Sequence, residues 1–243
     1  NKSTFHGLRD YNPIATCVCR LEHNSDGHTS SLYGIGYGSY IITNQHLFIR
    51  NNGTINIESH HGTYHIRNST QLQLYPIEGR DIVIIQLPKD FPPFARRLKF
   101  RHPTTTDKVC LVGTNFQEKT TTSTVSEASL ITRKDDSHFF RHWISAKDGQ
   151  CGLPAVSTKD GCVLGLHSLT SLVNDSNFFI AFPDDFEKNY LERANELNWV
   201  KHWKLNVDKI CWGALSLEKD KPSNMFKLSK DIQRLDMEPV GLQ

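Results

Sequence analysis

A cysteine lies between two glycines in residues 148–154, which read DGQCGLP. Glycine near a cysteine lets the backbone turn sharply, expose the sulfur and direct backbone N–H groups at a ligand. A thiol nucleophile beside an oxyanion hole requires such a turn. Gly-x-Cys-Gly alone is a weak signal, however, and an inert buried thiol is the alternative for Cys151.

Thiol catalysis also needs a base that forms the thiolate, and often a carboxylate that holds this base in one tautomer. His46 follows the predicted strand 40–43, and Asp81 directly precedes the apolar run 82–85. Taken singly, His46 is more often interpreted as a hydrogen-bonded histidine of the core, and Asp81 as a carboxylate in a turn. The order His46, Asp81, Cys151 is that of chymotrypsin and favours a Cys-His-Asp site.

The elements that must position these residues are predicted to be short β-strands. Apolar runs alternate with Gly, Asn and Asp turns, as in β-barrels and sandwiches. The predicted strands are 14–21, 32–37, 40–43, 54–58, 63–67, 72–75, 82–87 and 109–112 in the first half, and 124–132, 139–145, 154–157, 162–167 and 177–182 in the second. Three-to-four spacing of apolar residues predicts one or two helices within 183–204, and a last strand is predicted at 209–212.

A connector rich in threonine and serine, within residues 117–126, divides the predicted strands into two groups. Such a composition is typical of a domain boundary. The predicted units are an N-terminal β-barrel at 1–116 with His46 and Asp81, a C-terminal β-barrel at 117–220 with Cys151 and His167, and a flexible tail at 221–243.

The composition is that of an ordinary globular protein, with 243 residues of which 37% are hydrophobic. The formal net charge of +2 does not by itself predict nucleic-acid binding. No run is long and apolar enough for a membrane helix, and the start lacks the apolar region of a signal peptide, so we expect no membrane association. Because the chain starts without methionine, we expect that it is cut from a longer one.

The six cysteines are sparse and lack the spacing of a disulfide scaffold, so we expect free thiols in an intracellular, reducing compartment. Two groups contain metal-ligating residue types, namely Cys17, Cys19, His23 and His28 in one and His60, His61 and His65 in the other. Packed thiols explain the first group better than zinc does, and a solvated hairpin turn explains the second. We therefore predict no metal site.

Residues 96–101 contain three arginines and a lysine with an interleaved phenylalanine. A basic stripe of this kind can touch RNA, although a solvated strand edge is the interpretation that we favour. A protein that binds RNA is thus the rival to a thiol-dependent enzyme. A β-sandwich interaction module with a degenerate catalytic site is the third hypothesis.

Six segments resemble, in the same order, segments of the nuclear-inclusion-a proteases of potyviruses. They are residues 9–13, 42–48, 79–81, 89–94, 147–152 and 165–168, and the resemblance extends from about Gly7 to Trp212. It implies a chymotrypsin-like all-β fold of two antiparallel six-stranded β-barrels, with short helices near the C-terminus and the active site between the barrels.

The same resemblance implies an activity. The protein would be a cysteine endopeptidase that cuts a viral polyprotein after glutamine, its own termini included, through an acyl-enzyme intermediate. It would need no metal or cofactor, act mostly as a monomer, and reside in the cytoplasm and nucleus of the host cell.

The resemblance also implies roles for individual residues. The N–H groups of Cys151 and of Gly149 or Gln150 would form the oxyanion hole. His167 would hydrogen-bond to the amide of glutamine at P1, the substrate residue before the cut, and the strand after it would pair with extended substrate. The other implied substrate-binding residues are Ala146, Asp148, Ser168, Ser171, Asn174, Phe178 and Trp212.

Three positions depart from the family pattern. Ala146 stands where some relatives have threonine in the P1 pocket, so a hydroxyl contact to glutamine is missing. Ser171 and Phe178 stand where one relative has asparagine and tyrosine near P6. The preference of that relative for glutamate at P6 is therefore not implied for this chain.

The last six residues, EPVGLQ, resemble the non-primed half of a family cleavage site, with Glu238 five residues before Gln243. We expect Gln243 to be the P1 residue that the enzyme's own cut leaves. Such a tail would occupy the active site as a product. A frayed tail without function is the alternative.

Overall fold

The computed structural model describes residues 10–116, 122–146, 149–171, 176–207 and 237–239. These ranges contain 17 β-strands and only short helical turns, arranged in two antiparallel sheets. None of their helices is both long and apolar enough to cross a membrane. The predicted all-β fold with two antiparallel units is confirmed.

The first sheet is built mainly from the first half of the chain. Its strands are β1 (Val18–Ser25), β2 (His28–Tyr37), β3 (Tyr40–Thr43), β4 (Thr54–Ser59), β5 (Gly62–Ile66), β6 (Gln73–Pro76), β7 (Val83–Gln86) and β16 (Val200–Lys201). Their spatial order is β16-β6-β7-β3-β2-β1-β4-β5. In β4, Ile55 and Ile57 are buried and alternate with less buried residues, because every second side chain of a strand lies on one face.

The second sheet follows residue 107. Its strands are β8 (Lys108–Asn115), β9 (Thr122–Val125), β10 (Ser129–Leu130), β11 (Thr132–Arg133), β12 (Phe139–His142), β13 (Pro154–Ser157), β14 (Val163–Ser171), β15 (Asn177–Ala181) and β17 (Met237–Pro239). The main order is β10-β8-β13-β14-β15-β12-β11, with β9 on β8 and β17 on β14. Short helical turns at Glu187–Leu191, Ala194–Glu196 and His202–Lys204 follow β15 and agree with the predicted helices.

The described chain begins with a helical turn, α1 (Asn12–Ala15), where the sequence predicted a strand. Pro13 stands in the first turn of α1, where its missing N–H leaves no hydrogen bond unmade. The predicted strand 14–21 was therefore wrong over its first residues, and β1 begins at Val18.

The sheets have eight and nine strands rather than six because short segments add to their edges. One of these is β16, which lies late in the chain but pairs with β6 of the first sheet. The predicted strand 124–132 is divided into β9, β10 and part of β11, and Ser126 Oγ in the first gap accepts a hydrogen bond from Leu111 N at 2.8 Å. The predicted strand 209–212 lies outside the described residues.

Aromatic packing fixes the two sheets against each other. Phe100, in the segment between the sheets, has its ring centroid 5.1 Å from that of Phe182 and 5.2 Å from that of Phe186. Tyr37 of β2 packs on the same ring at 6.0 Å, and its hydroxyl donates to Glu187. The segment between the sheets is therefore part of the core.

Arg101 ties this segment to the second sheet. Its guanidinium lies 2.6 Å from Asp107 and 2.7 Å from Asp160. Burial by itself would raise the pKa of Asp107, but hydrogen bonds from Arg101, Thr104 and Ser157 hold that pKa below its usual range. The buried carboxylate is thus stable only with these donors.

Replacing Asp107 by asparagine is expected to lower the free energy of unfolding by about 3 kcal/mol, because Arg101 and the hydroxyl groups lose their charged acceptor. The pKa of Asp107 is lower in the folded chain than in the unfolded one. Its contribution is therefore complete above about pH 4 and is lost on acidification. Thermal unfolding as a function of pH measures both effects.

Asp160→Asn is the matched control, because this carboxylate is 40% exposed and its loss should cost less than about 1 kcal/mol. An Asp107→Asn protein as stable as the wild type at neutral pH would contradict the expectation.

Candidate active site

His46 and Asp81 meet at the ends of two paired strands of the first sheet. His46 lies in a helical turn, Gln45–Phe48, directly after β3, and Asp81 comes shortly before β7. His46 Nδ1 lies 2.6 Å from Asp81 Oδ2, and the backbone N–H of His46 donates to Asp81 Oδ1 at 3.1 Å. Both side chains are fully buried. These two contacts set the orientation of the imidazole.

The carboxylate also sets the tautomer of His46. An ionised carboxylate only accepts hydrogen bonds, so Nδ1 carries the hydrogen and Nε2 presents its lone pair. His46 Nε2 is buried and has no hydrogen-bond partner among the described residues. A lone pair held in this way can take a proton from a neighbouring nucleophile.

Two buried amides hold the loop that carries Asp81. Gln45 Nε2 donates to the carbonyl oxygens of Ile77 and Arg80 at 3.1 and 2.9 Å, and Asn44 Nδ2 donates to Asp81 O at 3.2 Å. The segment that carries the histidine is thereby tied to the loop that carries the acid. Sequence reasoning missed both amides; the only signal for them is a polar run directly after an apolar strand.

A further donor reaches Asp81 from the second sheet. Ser168 in β14 donates from Oγ to Asp81 Oδ2 at 2.6 Å and is fully buried. The pairing of β14 with β15 shifts between His167 and Leu169, so Ser168 is an extra residue in the strand. Such a bulge re-aims a side chain. We predicted Ser168 as a substrate-binding residue, and its bond to the carboxylate was not foreseen.

Cys151 lies in the turn that leads into β13 and is fully buried. Its Sγ donates to the carbonyl oxygen of Ser168 at 3.0 Å. The N–H of Tyr33, in β2 of the first sheet, donates to Cys151 O at 2.7 Å. Contacts from both sheets therefore position the cysteine, and Ser168 links it to the pair formed by Asp81 and His46.

The two glycines of the motif have different purposes. Gly152 has φ +86°, and a Cβ there would lie 1.7 Å from Tyr33 O, so only glycine allows the turn to approach β2. Gly149 has φ +87°, and a Cβ there would meet no neighbouring atom within 4 Å. Glycine is therefore required at this position by the backbone conformation of the turn and not by a close contact. Gln150, between Gly149 and Cys151, is half-buried.

His167 lies in β14 with its ring fully buried. Its Nδ1 is 3.1 Å from His142 Nε2, and its own Nε2 has no partner among the described residues. Burial, with smaller effects from His142 and His46, lowers the pKa of His167 well below its usual value. The ring is therefore a neutral imidazole at neutral pH.

The structure places only some of the other predicted substrate-binding residues. Ala146 is half-buried after β12. Phe178 is buried in β15 with the guanidinium carbon of Arg141 4.8 Å from its ring centroid. Ser171 is the last residue of β14. The predicted residues Asp148, Asn174, Trp212 and Gln243 lie outside the described residues.

The structure describes four cysteines besides Cys151. All five described cysteines, which are Cys17, Cys19, Cys110, Cys151 and Cys162, are free thiols. Burial raises the pKa of Cys17, Cys19 and Cys110, which makes these thiols unreactive. His23 contacts the carbonyl oxygens of Leu47 and Asn52 rather than the thiols. Over the ranges that the structure covers, no three His, Cys, Asp or Glu side chains gather to hold a metal.

Two cations of the basic run 96–101 are engaged within the protein. Arg101 is paired with Asp107 and Asp160, as described above. Arg96 lies over the ring of Tyr37, 5.5 Å from its centroid. RNA binding stays a prediction.

Comparison with known proteins places this geometry in a family. The model of peptidase family C4 matches residues 1–233. The chain belongs to peptidase family C4. The genome polyprotein of Plum pox potyvirus (isolate NAT) is 54% identical over 243 residues, which are 100% of the chain and 8% of the polyprotein. The chain thus spans only 8% to 16% of the length of the Plum pox potyvirus polyproteins that it matches.

Two solved proteases show the same fold. That of tobacco vein mottling virus has a TM-score of 0.81 and 56% identity, covering 86% of this chain and 96% of the other. Catalytically active tobacco etch virus protease complexed with product has a TM-score of 0.80 and 50% identity, covering 85% and 90%. The predicted kinship with potyvirus proteases, the chymotrypsin-like fold and the cysteine endopeptidase class are confirmed.

Ser168→Ala is expected to lower kcat of the C4 peptidase roughly tenfold, because Asp81 loses a charge-assisted hydrogen bond and holds His46 less firmly. Steady-state hydrolysis of a peptide measures this effect.

The matched control is Ser157→Ala, which removes a comparable bond from a buried serine to Asp107, at 2.9 Å, in the same sheet. The control should lose stability and keep kcat. Equal loss of kcat in the two variants would show that Ser168 acts only through stability.

Proposed function

We propose that this C4 peptidase cuts a viral polyprotein after glutamine, with Cys151 as nucleophile, His46 as base and Asp81 as the acid that orients the base. The observation that carries the proposal is the 2.6 Å contact between His46 Nδ1 and Asp81 Oδ2, which leaves a buried lone pair on His46 Nε2. The polyprotein substrate is supported by the relatives, which are genome polyproteins.

The reaction follows from these roles. His46 Nε2 takes the proton of the Cys151 thiol, and the thiolate sulfur attacks the carbonyl carbon of the scissile bond. The resulting oxyanion is stabilised by N–H groups in the turn formed by Gly149, Gln150 and Cys151. His46 then gives its proton to the leaving amine. Water, deprotonated by the same nitrogen, releases the acyl group from sulfur.

The cysteine and its base are held before substrate arrives. Tyr33 N and Ser168 O fix the turn of Cys151, and Asp81 fixes the ring of His46. Little reorganisation is then required during proton transfer.

The free thiols of the described chain support an intracellular, reducing location in the host cell.

The P1 residue is selected by His167. A neutral imidazole whose buried Nε2 lacks a partner can donate to the side-chain carbonyl of glutamine. Glutamate would bring a negative charge next to a neutral imidazole that cannot balance it, which is costly. Ala146 supplies no hydroxyl, so discrimination rests more heavily on His167.

Cys151→Ala is expected to lower kcat by about 10⁴ or more, because the nucleophile is lost while the binding surface remains. The variant should still bind a peptide that contains the cleavage sequence. Hydrolysis assays and calorimetric titration measure the two properties separately.

Cys162→Ala, which removes a half-buried thiol outside the site, is the control and should retain full activity. A Cys151→Ala enzyme with more than a few per cent of wild-type activity would show that the nucleophile is another residue.

The C-terminal tail competes with substrate in this proposal. β17 pairs antiparallel with β14, Met237 opposite Ser171 and Pro239 opposite Leu169. β13 and the two residues before it cover the same edge of β14 as far as His167, so β17 takes the part of the edge that follows. An extended peptide that adds to β14 would use this edge. The tail and the substrate then exclude each other.

Truncation after Glu218 is expected to lower the apparent KM for a peptide at least about twofold with kcat unchanged, because a tethered tail reaches an effective concentration near millimolar. Adding the peptide 237–243 to the truncated enzyme should raise the apparent KM again. An unchanged KM after truncation would show that the tail does not compete, and loss of activity would show that it belongs to the fold.

A further inference from the structure

His142 has no role in the mechanism above, yet its ring contacts the histidine that selects P1. His142 ends β12 and His167 lies in β14, and β15 runs between these two strands. Both rings are fully buried, with their centroids 5.2 Å apart. His142 Nε2 lies 3.1 Å from His167 Nδ1, which is a hydrogen-bond distance.

The backbone fixes the direction of this hydrogen bond. The N–H of Ile144 donates to His142 Nδ1 at 3.2 Å. A peptide N–H can only donate, so His142 Nδ1 must present its lone pair. The hydrogen of a neutral His142 therefore lies on Nε2, from which it is donated to His167 Nδ1.

The hydrogen bond from His142 in turn fixes the tautomer of His167. His167 Nδ1 accepts from His142, so the hydrogen of a neutral His167 lies on Nε2. This nitrogen is the buried atom without a partner among the described residues. The series of hydrogen bonds that starts at the Ile144 peptide thus ends in a buried N–H donor whose hydrogen is not used by the described residues.

Both rings are held neutral and in place. Burial lowers the pKa of His142 to about 4, and it also lowers the pKa of His167, with smaller effects from His142 and His46. Phe179 packs on His142 with centroids 6.3 Å apart. Asn177 Nδ2 donates to the carbonyl oxygen of Ile144 at 2.8 Å, which steadies the segment that starts the chain.

We infer that His142 is a positioning residue that fixes the tautomer and orientation of His167 and so makes the P1 pocket a hydrogen-bond donor. The inference rests on the proposed selection of P1 by His167. With the opposite tautomer, His167 Nε2 would present a lone pair, and a glutamine carbonyl would meet repulsion instead of a hydrogen bond. His142 is therefore a determinant of glutamine specificity that never touches substrate.

Two variants of His142 separate this role from packing. Leucine fills similar space and neither donates nor accepts. Glutamine can accept from Ile144 N with Oε1 and donate to His167 Nδ1 with Nε2, so it can restore the chain. We expect His142→Leu to lower kcat/KM for a peptide with Gln at P1 about tenfold, because one hydrogen bond to the substrate is lost. The ratio of kcat/KM for the Gln peptide to that for the Glu peptide should fall as well. His142→Gln should recover most of both.

Nitrogen NMR of the histidine rings in the substrate-free enzyme gives an independent readout. His167 of the wild type should carry its hydrogen on Nε2, with Nδ1 as a hydrogen-bond acceptor. In His142→Leu the Nδ1 resonance should shift towards that of an unbonded nitrogen, and in His142→Gln it should return.

The NMR and cleavage measurements can each overturn the role of His142. A hydrogen on His167 Nδ1 in the wild type would overturn it, as would an unchanged Gln to Glu ratio in a folded His142→Leu enzyme. If the leucine variant does not fold, the NMR of the wild type and the cleavage ratio of His142→Gln decide instead. A wild-type enzyme without preference for glutamine would refute the proposed P1 selection, and the free-enzyme NMR would still establish or exclude the fixed tautomer.

Discussion

The buried carboxylate of Asp81 is the constraint on which the active site depends. Burial of a carboxylate is costly unless donors replace its hydrogen bonds to water. Asp81 accepts such hydrogen bonds from residues of both sheets. The first sheet supplies two donors from His46, and the second supplies the hydroxyl of Ser168. Since the carbonyl of Ser168 also accepts a hydrogen bond from the Cys151 thiol, this one acid is connected to both the proposed nucleophile and the proposed base.

Consecutive residues of β14 contact the two parts of the proposed site. The bulge at Ser168 lets its hydroxyl reach Asp81, while His167 beside it contacts His142. The open edge of the strand begins one residue later, at Leu169, where β17 pairs. A single strand therefore links the proposed base, the proposed P1 donor and the surface that an extended peptide would use. Movement of β14 would change all three.

The sequence predicts the parts of the site that leave local signals. His46, Asp81 and Cys151 stand out because each lies at a strand end or in a glycine turn, and the short apolar runs predict an all-β chain. Contacts between distant residues leave no such signal: Ser168 and Asp81 are 87 positions apart. The helical turn at Pro13 was missed because its apolar neighbours fit a strand equally well. The bulge in β14 depends on pairing with β15 and cannot be read from β14 alone.

We propose that Asp81 holds the proton of His46 on Nδ1 and leaves Nε2 as the base. Proton and nitrogen NMR of the His46 ring in the substrate-free enzyme at neutral pH tests this role of Asp81. We expect a proton on Nδ1 whose resonance lies far downfield because of the short bond to Asp81. This resonance should move upfield in Asp81→Asn. A His46 ring that carries its only proton on Nε2 in the wild-type enzyme would contradict this role.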